Sequence, residues 1–335
     1  MTHPRRTWAL IAATTLALSA CGAEVETAAE PGGATVTVTN CDEPLTVDGV
    51  PERVVTNDTG ITEMMFALGL ADRVVGFSAQ ASKDGDIESS PWKADFESTP
   101  DIGDTFTREA VQAANPDFVF AGWNYGYKES TGLTPDWVRS IGATPYQLTE
   151  ACRQPGTTQR GIMDPLDALY ADIENLGDIF DVRDRADDLV AGYREQVADA
   201  NATAPAGQDP TRMFLFDSAT PEPFTAGRTA APSQIFREAG GSNIFDDIDN
   251  SWTTASWEAA AQRDPQAIVI VDYNSGAGET VEAKIEQLRQ HPLMSGTTAV
   301  RENNITALPY AALVEGPRNP QAVTSVADFL RSKGL

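Results

Sequence analysis

Trp123, Tyr125 and Tyr127 stand at alternate positions in Gly122-Trp123-Asn124-Tyr125-Gly126-Tyr127-Lys128. Such a run offers flat, rigid rings with polar edges, which suits recognition by stacking and hydrogen bonding. Arg228, in Thr225-Ala226-Gly227-Arg228, and Arg318, in Glu315-Gly316-Pro317-Arg318-Asn319, carry planar guanidinium forks. These suit carboxylate, phosphate or hydroxamate-type oxygens. Trp252 in Ser251-Trp252-Thr253-Thr254, Tyr310 after Pro309, and Asp58 beside Thr59 complete the candidate ligand-contacting set.

Bond-breaking chemistry finds little support. A catalyst would need a nucleophile with a base, yet the only histidines are His3 and His291, and His291 lies in the loop-like Gln290-His291-Pro292. No Gly-x-Ser-x-Gly elbow and no nucleotide-binding Gly-rich loop occurs. A direct zinc or manganese receptor would want several His and carboxylate ligands, which one mature-chain histidine does not supply. We therefore expect a binding protein with no catalytic residue, no metal ligand and no cofactor. The net charge of -25 and pI near 4.3 argue against nucleic acid as a partner, since phosphate binding needs a basic patch.

The elements that must position these residues alternate between strand and helix. Arg53–Thr56, Arg73–Phe77, Asp117–Ala121 and Thr144–Leu148 read as strands; Ile61–Leu70 (an amphipathic pattern), Thr107–Ala114 and Pro135–Ile141 read as helices. Lys83–Ser98 reads as polar and irregular. In the second half Arg212–Phe216, Ala267–Val271 and part of Ala299–Leu308 read as strands, and Ala231–Ala239, Ser256–Arg263, Thr280–Gln290 and Pro320–Ser332 as helices. Candidate contact residues follow strand ends, where parallel sheets present their ligand loops. Alternation of this kind predicts an α/β protein with mainly parallel sheets covered by helices on both faces.

One unit recurs. Glu109-Ala110-Val111-Gln112-Ala113-Ala114-Asn115-Pro116 and Glu258-Ala259-Ala260-Ala261-Gln262-Arg263-Asp264-Pro265 each run from Glu through a short helix to Pro and then a β-run. Between them, Asp164–Ala202 reads as two successive helices. In the second, Val182, Ala186, Leu189, Val190, Tyr193 and Val197 form one apolar stripe. About 20 helical residues span roughly 30 Å, enough to join two domains. A chain of 335 residues, 41% hydrophobic, can build both.

The N-terminus is not fold. Arg5 and Arg6 precede a short apolar stretch, Trp8–Ser19, and then Leu18-Ser19-Ala20-Cys21-Gly22, which resembles the bacterial lipobox with Cys21 as the lipidated residue. Chains on Cys21 would anchor the protein to the outer face of the cell membrane. In that oxidising setting Cys41 and Cys152 can pair as a disulfide; two free thiols are the alternative. The expected divisions are a signal peptide over residues 1–20, a tether over 21–40, a first lobe over 41–181, a connecting helix over 182–203 and a second lobe over 204–335.

From about Val50 onward the chain resembles the substrate-binding lipoproteins of ABC importers, in the branch whose lobes are joined by a single helix and which handles iron-siderophores, haem and cobalamin. The resemblance rests on Pro51-Glu52-Arg53-Val54-Val55, Thr62–Leu70 with Arg73-Val74-Val75-Gly76, and Asn115-Pro116-Asp117-Phe118-Val119. It rests further on Pro223–Arg228, Ala239–Phe245 and Trp257–Val271. It implies two three-layer αβα lobes joined by one long α-helix, closing on a small molecule, a metal chelate or corrinoid-like ligand, in the inter-lobe cleft. By the same resemblance Glu109 and Glu258 would pair with arginines of an ABC permease dimer, served by its ATPase. A monomer is implied, with a ferric siderophore as first ligand and cobalamin, haem or another cofactor-like molecule as the alternative. A surface lipoprotein enzyme or adhesion module on the same scaffold is the reading from another class.

Overall fold

The computed structural model describes Met1 and residues 34–80, 84–204, 207–273 and 280–335. Cys21, the leader and the first part of the expected tether lie outside these residues. The tether, expected to reach residue 40, ends sooner, because β1 (Thr35–Asn40) and β2 (Glu43–Asp48) pair as an antiparallel hairpin. At its turn Cys41 bonds Cys152, with Cα atoms 5.3 Å apart and a sequence separation of 111. Asn40 seconds this attachment: its Nδ2 donates to Gln147 O at 2.8 Å and its Oδ1 accepts from Gln147 N at 3.0 Å.

The first lobe is a parallel sheet in the order β4 (Val74–Ser78), β3 (Val54–Asn57), β5 (Phe118–Ala121), β6 (Thr144–Gln147). Every residue of β3 and β5 is buried, as a sheet covered on both faces requires. α1 (Thr59–Ala67) departs from the amphipathic expectation, since all its residues are buried. One side packs on the sheet and the other meets α12 (Tyr310–Leu313) of the second lobe, so no face is left for water. The stretch read as irregular holds two short helices, α2 (Asp84–Glu88) and α3 (Lys93–Ser98), the latter organised around Phe96, which meets Phe66 and Phe77 edge-on. α4 (Arg108–Ala113) and α5 (Pro135–Ser140) begin at Thr107 and Thr134, whose hydroxyls accept from Ala110 N and Trp137 N as N-caps.

The second lobe repeats the plan as β10 (Gly241–Asn243), β7 (Thr211–Phe216), β12 (Ala267–Asp272), β13 (Ile305–Pro309), again parallel. Alternation along its strands makes three layers. Met213, Leu215, Val269 and Val271 join α8 (Ala231–Glu238) and α13 (Asn319–Lys333) in one core; Phe214, Phe216, Ile268 and Ile270 join α9 (Trp257–Gln262) and α10 (Val281–Gln290) in another. A small antiparallel sheet of β8 (Ser218–Ala219), β9 (Pro223–Ala226) and β11 (Trp252–Thr254), not foreseen from the sequence, stands beside it.

The recurring unit is a structural repeat. Ser256 caps α9 as Thr107 caps α4, each at 3.1 Å. Asn115 and Asp264 both end their helices with positive φ, 49° and 43°, just before Pro. In each lobe an arginine beside the first strand then holds that turn: Arg53 donates to Ala114 O and Asn115 O, Arg212 to Arg263 O and Asp264 O. Between the units run α6 (Pro165–Ile179) and α7 (Arg183–Asn201), the latter 19 residues and about 28 Å long. Ala186, Val190 and Val197 of the foreseen stripe are buried, with Leu189 and Tyr193 half-buried, against α6 and α13.

A buried ion pair ties the lobes together. Arg318, at the start of α13, donates through Nε to Glu63 Oε2 of α1 at 2.8 Å, and Nη2 also meets Glu63 Oε1; the side chains are 9% and 0% exposed. Burial pushes the Glu63 carboxyl upward and Arg318 pulls it back. Alongside, the backbones of Gly60 and Gly316 nearly touch: a Cβ on Gly60 would lie 2.5 Å from Glu315 O. Losing one partner of a buried pair leaves an uncompensated charge, which typically costs about 3–5 kcal/mol, whereas removing both with apolar residues is often near neutral. Arg318→Met should therefore destabilise by about that amount and the Glu63→Met/Arg318→Met double variant by much less, read from urea unfolding midpoints; equal losses would contradict the account.

Candidate functional site

In each main sheet the strand order reverses between the first and third strands of the lobe, β3 against β5 and β7 against β12. Ligands enter α/β sheets at such a crevice, outside the carboxyl ends of the strands. Both crevices are furnished alike. Asp58 follows β3 and Tyr125 lies in the turn after β5; Asp217 follows β7 and Tyr273 follows β12. All four line one cavity of about 710 Å³.

The turn after β5 is built around missing side chains. A Cβ on Gly122 would stand 1.9 Å from the Tyr125 ring, so glycine lets that ring fold over the backbone. Asn124 takes a left-handed φ of 73° and donates its N–H to Tyr127 O at 2.8 Å. Across the cavity Tyr310 stacks on Tyr273, centroids 5.3 Å apart. Tyr310 donates to Asp58 Oδ2 at 3.0 Å, crossing between lobes, and Tyr273 donates to Asp217 Oδ2 at 2.9 Å. Burial pushes the Tyr125 and Tyr310 hydroxyls well above the ordinary phenol range, so both remain donors. At the rim Phe224 and Trp252 stack at 5.9 Å on β9 and β11, with Phe224 37% exposed.

Carboxyls and cations share the floor. Glu150 accepts from Ser251 Oγ at 2.5 Å, and its backbone N–H donates to Glu315 Oε2 at 2.8 Å. Glu315 also hydrogen-bonds Asp172, which accepts from Tyr146, Thr149 N and Thr149 Oγ1. Two carboxyls in contact need a shared proton. Burial and the Asp172 charge hold Glu315 well above the carboxylate range, so Glu315 carries it. Lys284, 2% exposed, reaches under Tyr273 and donates to Val271 O at 2.7 Å. Arg160 arrives on a loop pinned to the second lobe by Asn250 and Thr229; its guanidinium makes one hydrogen bond among the described residues, to Trp123 O at 3.4 Å.

The sequence candidates divide. Asp58, Tyr125, Trp252 and Tyr310 line the cavity. Tyr127 does not: it is fully buried, with its hydroxyl on Val119 O at 2.6 Å, because the turn directs alternate rings into the core. Trp123 is buried under the Arg153 guanidinium, 4.1 Å above its ring. Arg228 pairs with Asp249 away from the cavity, and Arg318 is committed to Glu63. The arginine that does reach the cavity, Arg160, sits in Thr157-Thr158-Gln159-Arg160, a polar loop with no signal in its spacing. Phe224, Glu150, Tyr273, Lys284 and Glu315 also line the cavity outside the candidate set, as does Asp217, which directly follows its strand. Glu109 and Glu258 are exposed in the first turns of α4 and α9. Among the described residues no group of three or more His, Cys, Asp and Glu could hold a metal ion, and no helix is long and apolar enough to cross a membrane.

An aromatic cavity between two repeated αβα lobes, with hydrogen-bonding groups around it, has the form of a two-lobed solute receptor. The periplasmic binding protein family profile matches residues 54–312, and the chain belongs to that family, whose members bind solutes and are not enzymes. It is 23% identical over 296 residues to the uncharacterized ABC transporter substrate-binding lipoprotein YvrC of Bacillus subtilis, covering 86% of this chain and 83% of that one. It is 24% identical over 226 residues to the vitamin B12-binding protein of Pectobacterium atrosepticum, covering 66% and 72%. The crystal structure of an ABC-type Fe3+-hydroxamate transport system protein from Saccharomonospora viridis superposes with a TM-score of 0.70 at 21% identity, over 88% of this chain and 98% of that one.

Beside the cavity, Asp86 accepts from Ala311 N at 3.2 Å and faces Arg318, Asp58 and Glu63. Burial, chiefly, raises its carboxyl from 3.8 to about 7. The folded state thus holds a proton that the unfolded chain releases, so this group's contribution to stability falls as pH rises from about 4 to about 7. Asp86→Asn should remove that slope, a relative gain on the order of 4 kcal/mol at most above pH 7. Urea midpoints of both proteins from pH 4.5 to 8 check it; a constant difference across that range would refute the assignment.

Proposed function

We propose that this protein is the extracytoplasmic receptor of an ABC importer, anchored through Cys21, and that its ligand is a neutral or cationic metal chelate, first a hydroxamate-type ferric siderophore. The observation that carries the ligand class is the composition of the cavity among the described residues: stacked aromatics with Asp58, Glu150, Asp217 and Glu315, against the two cations Arg160 and Lys284. The two arginines that could have received an anionic chelate are spent on Asp249 and Glu63. Aromatic faces suit a rigid, partly apolar chelate, and carboxyls suit its N–H or ammonium groups. A corrinoid is the second reading, favoured by the likeness to vitamin B12-binding proteins over two thirds of the chain and by the amide-rich edge such a ligand presents to these groups.

Trp252 lines the cavity, so bound ligand should quench its emission. Titration of the mature protein with ferric trihydroxamates, cobalamin, haem and a triply anionic ferric catecholate should show quenching by one of the first two, with the catecholate at least about tenfold weaker. Trp252→Phe should lose most of the signal. Binding of none, or tightest binding of the catecholate, would defeat the ligand class.

Docking on a permease dimer through Glu109 and Glu258 is supported by their exposure and matched placement at the starts of two repeated helices. Negative charge is favourable at a helix N-terminus, which leaves both carboxylates poised for an external cation. Glu109→Lys with Glu258→Lys should abolish uptake in cells while leaving ligand affinity within about twofold; surviving uptake would remove the assignment.

A further inference from the structure

A polar hairpin, residues 152–161, supplies Arg160 to the cavity wall, and both lobes hold it. Its foot belongs to the first lobe: Gly161 N donates to Cys152 O at 2.9 Å, and Cys152 is bonded to Cys41. Arg153 pairs with Arg160 across the hairpin, and Gln154 N donates to Gln159 O at 2.9 Å. The far edge rests on the second lobe. Arg160 N donates to Asn250 Oδ1 at 3.1 Å, and Arg160 O accepts from Thr229 Oγ1 at 2.8 Å. Both backbone groups of one residue are thus held by side chains 90 and 69 positions further along the chain.

Gly161 permits this seat. Its φ is +94°, and a Cβ there would stand 2.2 Å from Thr229 Cβ, so glycine supplies both the left-handed backbone and the close approach. The Arg160 side chain returns toward the first lobe. Among the described residues its guanidinium makes one hydrogen bond, Nη1 to Trp123 O at 3.4 Å, which leaves most of its N–H groups facing the cavity. On the second lobe three consecutive residues share the work. Asn250 holds the Arg160 backbone, Ser251 Oγ donates to Glu150 at 2.5 Å, and Trp252 lines the cavity. This junction is of another kind from the buried pair of Glu63 and Arg318. It consists of single hydrogen bonds, among them the exposed one from Gln154 Nε2 to Asp249 Oδ1 at 3.4 Å. Each such bond is worth roughly two- to tenfold in an equilibrium constant.

We infer that Thr229, Asn250 and Gly161 are positioning residues for Arg160, and that the ligand meets the Arg160 fork only while the hairpin is seated on the second lobe. This rests on the receptor reading above and adds a linkage to it. A ligand that draws on Arg160 favours the seated arrangement, and whatever lifts the hairpin weakens the ligand. A contact that parting of the lobes withdraws also serves delivery, since the ligand is loosened as the lobes separate.

Three variants test the seat. Gly161→Ala lifts the hairpin by steric contact, Thr229→Val removes one hydrogen bond at nearly constant volume, and Thr229→Ser keeps the hydroxyl. In the ligand-free mature protein, hydrogen exchange of the Arg160 and Gly161 amides should speed up at least about threefold in the first two and stay at the wild-type rate in the third. Unchanged exchange in both Gly161→Ala and Thr229→Val would overturn the positioning. Affinity is read by Trp252 quenching with a ferric trihydroxamate and with cobalamin. For the probe that binds, Arg160→Met and Gly161→Ala should each weaken binding about tenfold and Thr229→Val about threefold, with Thr229→Ser as wild type. The Arg160→Met/Gly161→Ala double variant should bind no more weakly than Arg160→Met alone. A Gly161→Ala loss that persists in full in the Arg160→Met background does not act through Arg160 and would overturn the inference. Wild-type affinity in Arg160→Met would overturn it too, and in both cases the receptor reading stands. Binding of neither probe defeats the ligand class proposed above and this contact with it.

Discussion

The contact between Glu63 and Arg318 governs how this molecule can work. It joins residues 255 apart in sequence, one on the first helix of the first lobe and one at the start of the last helix of the second. Ser90 Oγ donates to Glu63 at 2.6 Å and Arg318 Nη2 donates to Asp86 O at 2.8 Å, so the pair is embedded in a hydrogen-bonded set and not left to Coulomb attraction alone. With Gly60 and Gly316 in backbone contact beside it, the lobes meet at a fixed seam. Parting the lobes there would separate a buried ion pair and leave both charges without a partner.

The cavity inherits its symmetry from the repeat. Each lobe supplies an acid after its first strand and a tyrosine after its third, and each stabilises the turn before the third strand with an arginine from the first. What differs is the pairing. In the second lobe the tyrosine and acid bond to each other, Tyr273 to Asp217, while in the first lobe Asp58 takes its hydrogen bond from Tyr310 across the seam. The same ingredients therefore close one lobe internally and join it to the other. Glu315 adds a second joint, since it lies against Asp172 and also receives the Glu150 N–H.

Legibility in the sequence followed range. The recurring Glu-to-Pro unit was readable because capping, a short helix and a Pro-bounded strand are local grammar, and the caps Thr107 and Ser256 confirm it. The stripe on α7 was readable because a helix that packs along one side must repeat apolar residues every three or four positions. α1 was misread as amphipathic because the layer covering its outer face comes from α12, some 250 residues later. The antiparallel β8–β9–β11 sheet escaped because its strands are two to four residues long, too short for a period to show.

By itself the sequence determined two parallel αβ lobes, their helical link, and the supply of rings and acids at strand ends, since all of these follow from side-chain periodicity and local backbone preference. Only the tertiary structure decided which of them meet. Arg228 and Arg318 were the right kind of residue for an anion site, but long-range ion pairs removed them. Arg160 took the place in the cavity because its loop is pinned to the opposite lobe. In the turn after β5, backbone geometry sent Tyr125 to the cavity and Tyr127 into the core. A charged or aromatic side chain declares its chemistry in one letter; its availability depends on partners that folding brings from elsewhere in the chain.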